Sequence, residues 1–165
     1  MRRARKRLSA VRDRAERWEL PDGFDALEGG LELTYRRGRR GQRRAMADPT
    51  DARMHEWRKR VKYLRYQMEA LTPMYPTLIG STAEGLDELG ELLGDDHDLA
   101  VLADTILDHP ESCRDERERW MLIALIHERR ANLQAEALGI GSALYVEKPE
   151  AFVDRIGAYW AAGRR

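Results

Sequence analysis

The stretch His55-Glu56-Trp57-Arg58-Lys59-Arg60-Val61-Lys62-Tyr63-Leu64-Arg65-Tyr66-Gln67-Met68-Glu69 decides the fold class. At 100° per residue, Trp57, Val61, Leu64, Met68 and Leu71 fall within about 80° of one another, so a helix here has one apolar stripe to bury. His55, Arg58, Lys59, Lys62, Arg65 and Tyr66 lie on a second arc about 140° away, and at 1.5 Å per residue that row extends about 15 Å. Upstream, Asp48-Pro49-Thr50-Asp51 supplies an N-cap, a proline at the first helical position and a first-turn carboxylate, and Pro73 stops the helix after Leu71.

Proline and glycine cut the rest of the chain into similar pieces. Helices are predicted over 2–20, ending at Pro21-Asp22-Gly23, and over 24–47, with Leu27, Leu31, Tyr35 and Gly38 at helical spacing. A fourth helix runs from Pro76 to Leu93 and breaks at Gly94. A fifth starts with Asp95 or Asp96 as its cap and carries Leu99, Leu102 and Ile106, unless the two are one kinked helix. Asp108-His109-Pro110-Glu111 caps a long helix to Leu138, a loop covers 139–148, and a last helix runs from Pro149 to Ala162. No run of strict apolar/polar alternation argues for a sheet, so the fold class is all-α, an antiparallel helical bundle. Trp57, Trp120 and Trp160 sit among apolar neighbours and read as core anchors.

The chain has 165 residues with 42% hydrophobic and 35% charged, the size of one domain spanning 1–165. It lacks a long apolar run and its N-terminus has no apolar segment typical of a secretory signal, so it reads as soluble and cytoplasmic, with no membrane partner. The single cysteine, Cys113, excludes an internal disulfide or a multi-cysteine zinc site. A formal net charge of zero conceals a strong polarity: residues 1–70 hold 20 Lys and Arg against 11 Asp and Glu, and residues 71–165 hold 9 against 18.

The basic side chains are patterned. Arg36, Arg40 and Arg43 form a second cationic row, flanked by Arg39 and Arg44, on the face opposite Leu27 and Leu31. If the two consecutive helices pack antiparallel, their rows could line one groove for a polyanion. A charged stripe opposite an apolar one is also what a solvated bundle helix presents. Such a helix intersperses signs for i,i+4 pairing, however, whereas Arg58 to Arg65 hold five basic residues and no acidic one.

Other chemistry fits poorly. His55-Glu56 lacks the second histidine of a zincin helix, because Lys59 stands at that position. Asp95-Asp96-His97-Asp98 point in different directions from a helix start, and read as a cap meeting basic side chains rather than a metal site. No P-loop, dinucleotide fingerprint, nucleophile elbow or activated cysteine is present. No cofactor, metal or catalytic residue is expected.

The histidine helix, followed by Leu93-Gly94-Asp95-Asp96-His97-Asp98-Leu99-Ala100-Val101-Leu102, resembles the CHAD domain, the conserved histidine α-helical domain. Tyr35-Arg36-Arg37-Gly38-Arg39-Arg40 is similar to the segment that precedes that helix. The resemblance implies a helical protein that binds inorganic polyphosphate in a basic channel, without catalysis of its own, and that can be targeted to polyphosphate granules. On this chain it implies His55, Arg58, Lys59, Lys62, Arg65 and Tyr66 as binding residues, with Asp98 orienting or neutralising basic side chains. A complete member has two similar halves, each with a histidine helix, and this chain has one copy of the motif. It resembles the C-terminal half. The channel would then be rebuilt by pairing with a copy of itself or with a missing half.

The expected function is therefore a non-catalytic binding module for inorganic polyphosphate, with His55, Arg58, Lys59, Lys62, Arg65, Arg36, Arg39, Arg40, Arg43 and Tyr66 as its site. The alternative is a protein-interaction module docking an acidic partner through the same basic face. Non-specific nucleic-acid binding ranks behind both, because few aromatics are interleaved with the basic residues to stack bases.

Overall fold

The computed structural model describes residues 11–14, 17 and 23–164, and all the regular structure in them is helical. Five long helices follow in order: α1 (Asp25–Ala47), α2 (Asp51–Leu71), α3 (Pro76–Asp108), α4 (Glu116–Leu144) and α5 (Pro149–Gly163). Most of the helix predicted over 2–20, Trp18 included, lies outside the described residues, although 11–14 are helical.

Each helix from α2 to α4 runs antiparallel to the one before it. The start of α1 meets the end of α2 around Leu31 and Leu71, and Gly41 near its other end packs on Trp57. On the next seam His55 faces His97 and Arg65 pairs with Asp87. Asp96 of α3 reaches Arg130 and Gln134 of α4. Helix α5 then returns along α1, with the Phe152 ring stacked on Tyr35 at 4.0 Å and Gly157 against Phe24. The core lies at the centre of this arrangement. Trp57, Val61, Leu64, Met68 and Leu71 are all buried, as the helical spacing predicts, together with Tyr35, Ile79, Leu86, Leu89, Leu93, Phe152 and Ile156.

Local signals and the folded structure disagree in five places. The connection between α1 and α2 puts Pro49 ahead of the helix rather than at its first position. Thr50 is the N-cap, in extended backbone, and its side chain makes no capping bond. Arg53 instead ties the turn down through the Asp48 carboxylate at 2.6 Å.

Gly94 does not break the chain: α3 runs through it as one helix, and neither Asp95 nor Asp96 is a cap. A glycine inside a helix costs about 1 kcal/mol relative to alanine. Here it leaves room for the Arg58 guanidinium, 3.5 Å from where a Cβ would sit. Continuing the helix also turns Asp96 inward, where its 2%-exposed carboxylate accepts from Arg130 Nε at 3.0 Å and Gln134 Nε2 at 2.8 Å.

The predicted loop over 139–148 is helical as far as Leu144, because Gly141 packs against the buried Trp57 ring. At the other end of α4, Pro110–Ser112 form a short 3₁₀ turn, and the cap is Asp115, which accepts from the Glu118 backbone N–H at 2.7 Å. Finally, Trp120 is no core anchor. It is 52% exposed on α4 and takes no part in the small secondary core of Ala103, Ile106, Ile123 and Ile126. Trp160 is partly buried against the main core, tilted on Phe24.

Two glycines on α4 should respond to substitution with opposite signs. A Cβ on Gly141 would lie 2.6 Å from Trp57 Cζ2, whereas one on Gly139 meets nothing within 4 Å. Gly141→Ala is expected to lose about 1–2 kcal/mol net of its helical gain, and Gly139→Ala to gain about 1 kcal/mol, both read by urea denaturation. Asp96→Ala should cost about 3 kcal/mol, the loss typical of breaking a buried pair and well above the ~1 kcal/mol of a helix cap. A loss near 1 kcal/mol would show that the Arg130 bond contributes little.

Candidate anion-binding site

All six arginines between Phe24 and Ala47 come from one short run of α1, and the helix spreads them over two recesses. Arg36, Arg37, Arg39, Arg40, Arg43 and Arg44 leave the inward face to Leu31, Tyr35, Gly38, Gln42 and Ala45.

The larger recess is a cleft of about 580 Å³ between α1 and α2. It is lined by Arg37, Arg40, Gly41 and Arg44 from α1 and by Ala52, Arg53, Glu56 and Arg60 from α2. On α1 these positions follow i, i+3, i+4, i+7, and Gly41 lets the backbone approach Trp57 at the floor, with a Cβ position 3.1 Å from the Trp57 ring. Five guanidinium groups face one carboxylate. Arg60 is bonded to Glu56, and Arg53 to Asp48. Among the described residues Arg37, Arg40 and Arg44 have no ion-pair partner.

A smaller recess of about 140 Å³ lies on the other flank of α1, lined by Arg36, Arg39, Arg40, Arg43 and Pro149. Arg39 donates to the Tyr145 carbonyl at 3.0 Å, and Arg36 is held by Glu32 with Glu150 at 3.7 Å. Arg40 belongs to both recesses, so cationic lining continues across α1 from the start of α5 to α2.

The row predicted on α2 faces elsewhere. Arg58, Lys62 and Arg65 line a third recess of about 400 Å³ with Asp87, Gly90, Glu91, Gly94, Asp95 and Asp98 of α3. Three cations meet four carboxylates there. Arg65 is bonded to both Glu69 and Asp87, and its guanidinium lies 5.6 Å from the Tyr66 ring, which is exposed. Lys59 pairs with Glu56 at 2.6 Å. Asp98 lines the same recess as Arg58 and Lys62. The two cationic rows therefore do not share one groove, because the core stripe of α2 points its 58/62/65 side toward α3. The residues that meet Arg40 across the α1–α2 cleft are Arg53 and Arg60. Their i, i+7 spacing with Glu56 between them is visible in the sequence, but only a known seam between the helices gives it meaning.

At the top of the α2–α3 seam, the His55 and His97 rings lie 4.7 Å apart and His55 Nδ1 is buried without a hydrogen-bond partner. Burial first, and then His97, Lys59 and Arg58, hold the His55 imidazole below its ordinary pKa. On the other side of α2, hydrogen bonds from Lys59 and Arg60 hold the Glu56 carboxyl below the usual range. Among the described residues no cluster of three or more His, Cys, Asp or Glu is arranged to hold a metal ion, and no helix is long and apolar enough to cross a membrane.

The motifs that meet on this seam, the histidine helix and the Leu-Gly-Asp-Asp-His-Asp segment, fall in the stretch of chain that the CHAD domain profile matches, residues 2–107. The chain belongs to the CHAD domain family. No curated protein and no solved structure matches it. In this CHAD domain the matched stretch takes in α1, α2 and all but the last residue of α3, so both walls of the arginine cleft lie inside it. Helices α4 and α5 lie beyond it.

Because protonated His55 is disfavoured in the folded chain, the unfolded chain takes up this proton first as the pH falls. Its contribution to stability is complete above the unfolded value of about 6.5 and declines as the pH drops below it. Thermal unfolding between pH 8 and pH 5 should show this decline, and His55→Gln should flatten it in the pH 5–6.5 window. An unchanged slope in the variant would assign the decline to other groups, Glu56 among them at lower pH.

Proposed function

We propose that this CHAD domain is a non-catalytic binding module for inorganic polyphosphate, and that the anion lies in the α1–α2 cleft. The observation that carries the reading is the set of five guanidinium groups, Arg37, Arg40, Arg44, Arg53 and Arg60, around one carboxylate. Guanidinium forks match phosphate oxygens bidentately, and cations without internal partners give up little on meeting an anion. Arg36, Arg39 and Arg43 carry the same lining over α1, which suits a chain of phosphates better than a single small anion. Membership of the family supports the choice of polyphosphate among polyanions. Binding proceeds without turnover, and association with polyphosphate granules in the cell follows from the same affinity.

Within this reading the α2–α3 recess plays a secondary part. Arg58, Lys62 and Arg65 face four acids, so an incoming phosphate there meets repulsion as well as attraction. His55 packs on His97 at that seam and Tyr66 lies beside Arg65, whereas Lys59 pairs with Glu56 of the cleft.

The test is a titration of the chain with long-chain polyphosphate, with DNA at matched phosphate concentration, and with polyglutamate, each at two salt concentrations. Polyphosphate should bind best, and more weakly at the higher salt. Arg40→Ala/Arg44→Ala should lower affinity on the order of 100-fold, given the energy of charge-assisted hydrogen bonds, while Lys62→Ala/Arg65→Ala should change it only several-fold. If the second variant collapses binding and the first does not, the α2–α3 seam is the site. Preference for polyglutamate would favour an acidic protein partner, and release of phosphate with added Mg²⁺ would overturn the non-catalytic assignment.

A further inference from the structure

Helix α4 carries a face that nothing among the described residues covers. Its inward side holds Ile123, Ile126, Leu133 and Ala137. The opposite side is not the charged surface of a solvated helix. Arg117, Trp120, Met121, Ala124, Leu125 and Glu128 are all exposed, with Trp120 at 52%, Met121 at 58% and Leu125 at 55%. At 100° per residue these six fall within an arc of about 140° turned away from the core. Ala131 and Ala135 continue the line toward the C-terminal end, exposed and uncharged. Single exposed apolar residues are ordinary, but a tryptophan, a methionine and a leucine side by side are a patch.

Two details show that the patch is organised. The Trp120 indole is held over the surface, its N–H donating to Glu116 Oε1 at 3.4 Å and the Arg119 guanidinium lying 5.4 Å from its ring. The charges that bound the patch are unspent: among the described residues neither Arg117 nor Glu128 has an ion-pair partner.

The order of residues is self-complementary. Turned end for end about a point level with residues 122–123, Arg117 falls on Glu128 and Met121 on Ala124, while Trp120 and Leu125 come level on the two flanks. We propose that α4 pairs antiparallel with α4 of a second copy of this chain across a two-fold axis at that level. Each end of the seam is closed by an Arg117–Glu128 ion pair, the Met121 side chain fills the space above Ala124, and Trp120 and Leu125 cover the sides. A two-fold contact presents the same surface on both copies, so basic and acidic ends placed symmetrically about one point are the signature it requires. A helix of unrelated sequence would have to supply the reverse of this order, which the chain already contains. One helix pair is smaller than a standard interface, so the dimer is weak and reversible, with a Kd on the order of micromolar.

The inference is independent of the polyphosphate reading, since α4 lies outside the stretch that the family profile matches and supplies no residue to the lining of the arginine cleft. Sedimentation velocity on the whole chain over a concentration series tests it. The expected result is a reversible monomer–dimer equilibrium. Arg117→Glu and Glu128→Arg alone should each weaken it by about tenfold, because two attractive pairs become two repulsive ones. Together, Arg117→Glu/Glu128→Arg should restore it. Both residues concerned are on the surface, and circular dichroism checks that each variant keeps its helix content. A monomer at every concentration, a dimer indifferent to the single reversals, or a double variant that fails to recover would each overturn the proposal.

Discussion

The fully buried Trp57 indole is wedged between two glycines, Gly41 of α1 and Gly141 of α4. Neither position tolerates more than a hydrogen without pushing on the ring, so the distances of α1 and α4 from α2 are set at one point. Interiors packed to crystal-like density transmit such a constraint. From there α1 can run along α2 only with Arg37, Arg40 and Arg44 on the side where Arg53 and Arg60 emerge. The cleft is a by-product of how close two backbones come at a tryptophan.

Electrostatics then separates two neighbouring environments made from the same kinds of residue. Between α1 and α2, cations outnumber acids and several have no internal partner. Between α2 and α3, arginines and a lysine are matched by a run of carboxylates on the facing helix. Like charges crowded on one helix destabilise it, and the α2–α3 seam offsets that cost with facing carboxylates, while the α1–α2 cleft has only Glu56 to do so. The chain-wide polarity of the sequence is thus a coarse shadow of a finer division, in which the acids of α3 neutralise one face of α2 and leave the other alone.

The helical class, the core stripe of α2, the bounds of α1 and α5, and the presence of arginine rows could all be read from periodicity and from proline. The histidine helix and the Leu-Gly-Asp-Asp-His-Asp segment were legible as a family signature, but not as partners: that His55 faces His97, and that Gly94 makes room for Arg58, depends on the register between α2 and α3. Local signals misled where a glycine or an aspartate had a long-range purpose. Gly94 and Gly141 read as breaks and serve as contact points, and Asp96 read as a cap and is a buried acceptor. The choice between the two basic recesses was out of reach for the same reason, since a helical wheel shows which side chains share a face but not which neighbour that face meets.

Arg130 joins Asp96 of α3 to Asp51 in the first turn of α2, and Gln42 of α1 donates to Ser142 of α4 at 3.0 Å. Tyr35 of α1 donates to the Leu144 carbonyl at 3.1 Å. Through these bonds and the Trp57 wedge, α4 braces the ends of α1 and α2 that line the arginine cleft, although the sequence shared with the family stops short of it. The matched stretch and the packed bundle are therefore different lengths of chain. The family match ends near the tip of α3, while mechanical support for the most basic surface comes from beyond that boundary.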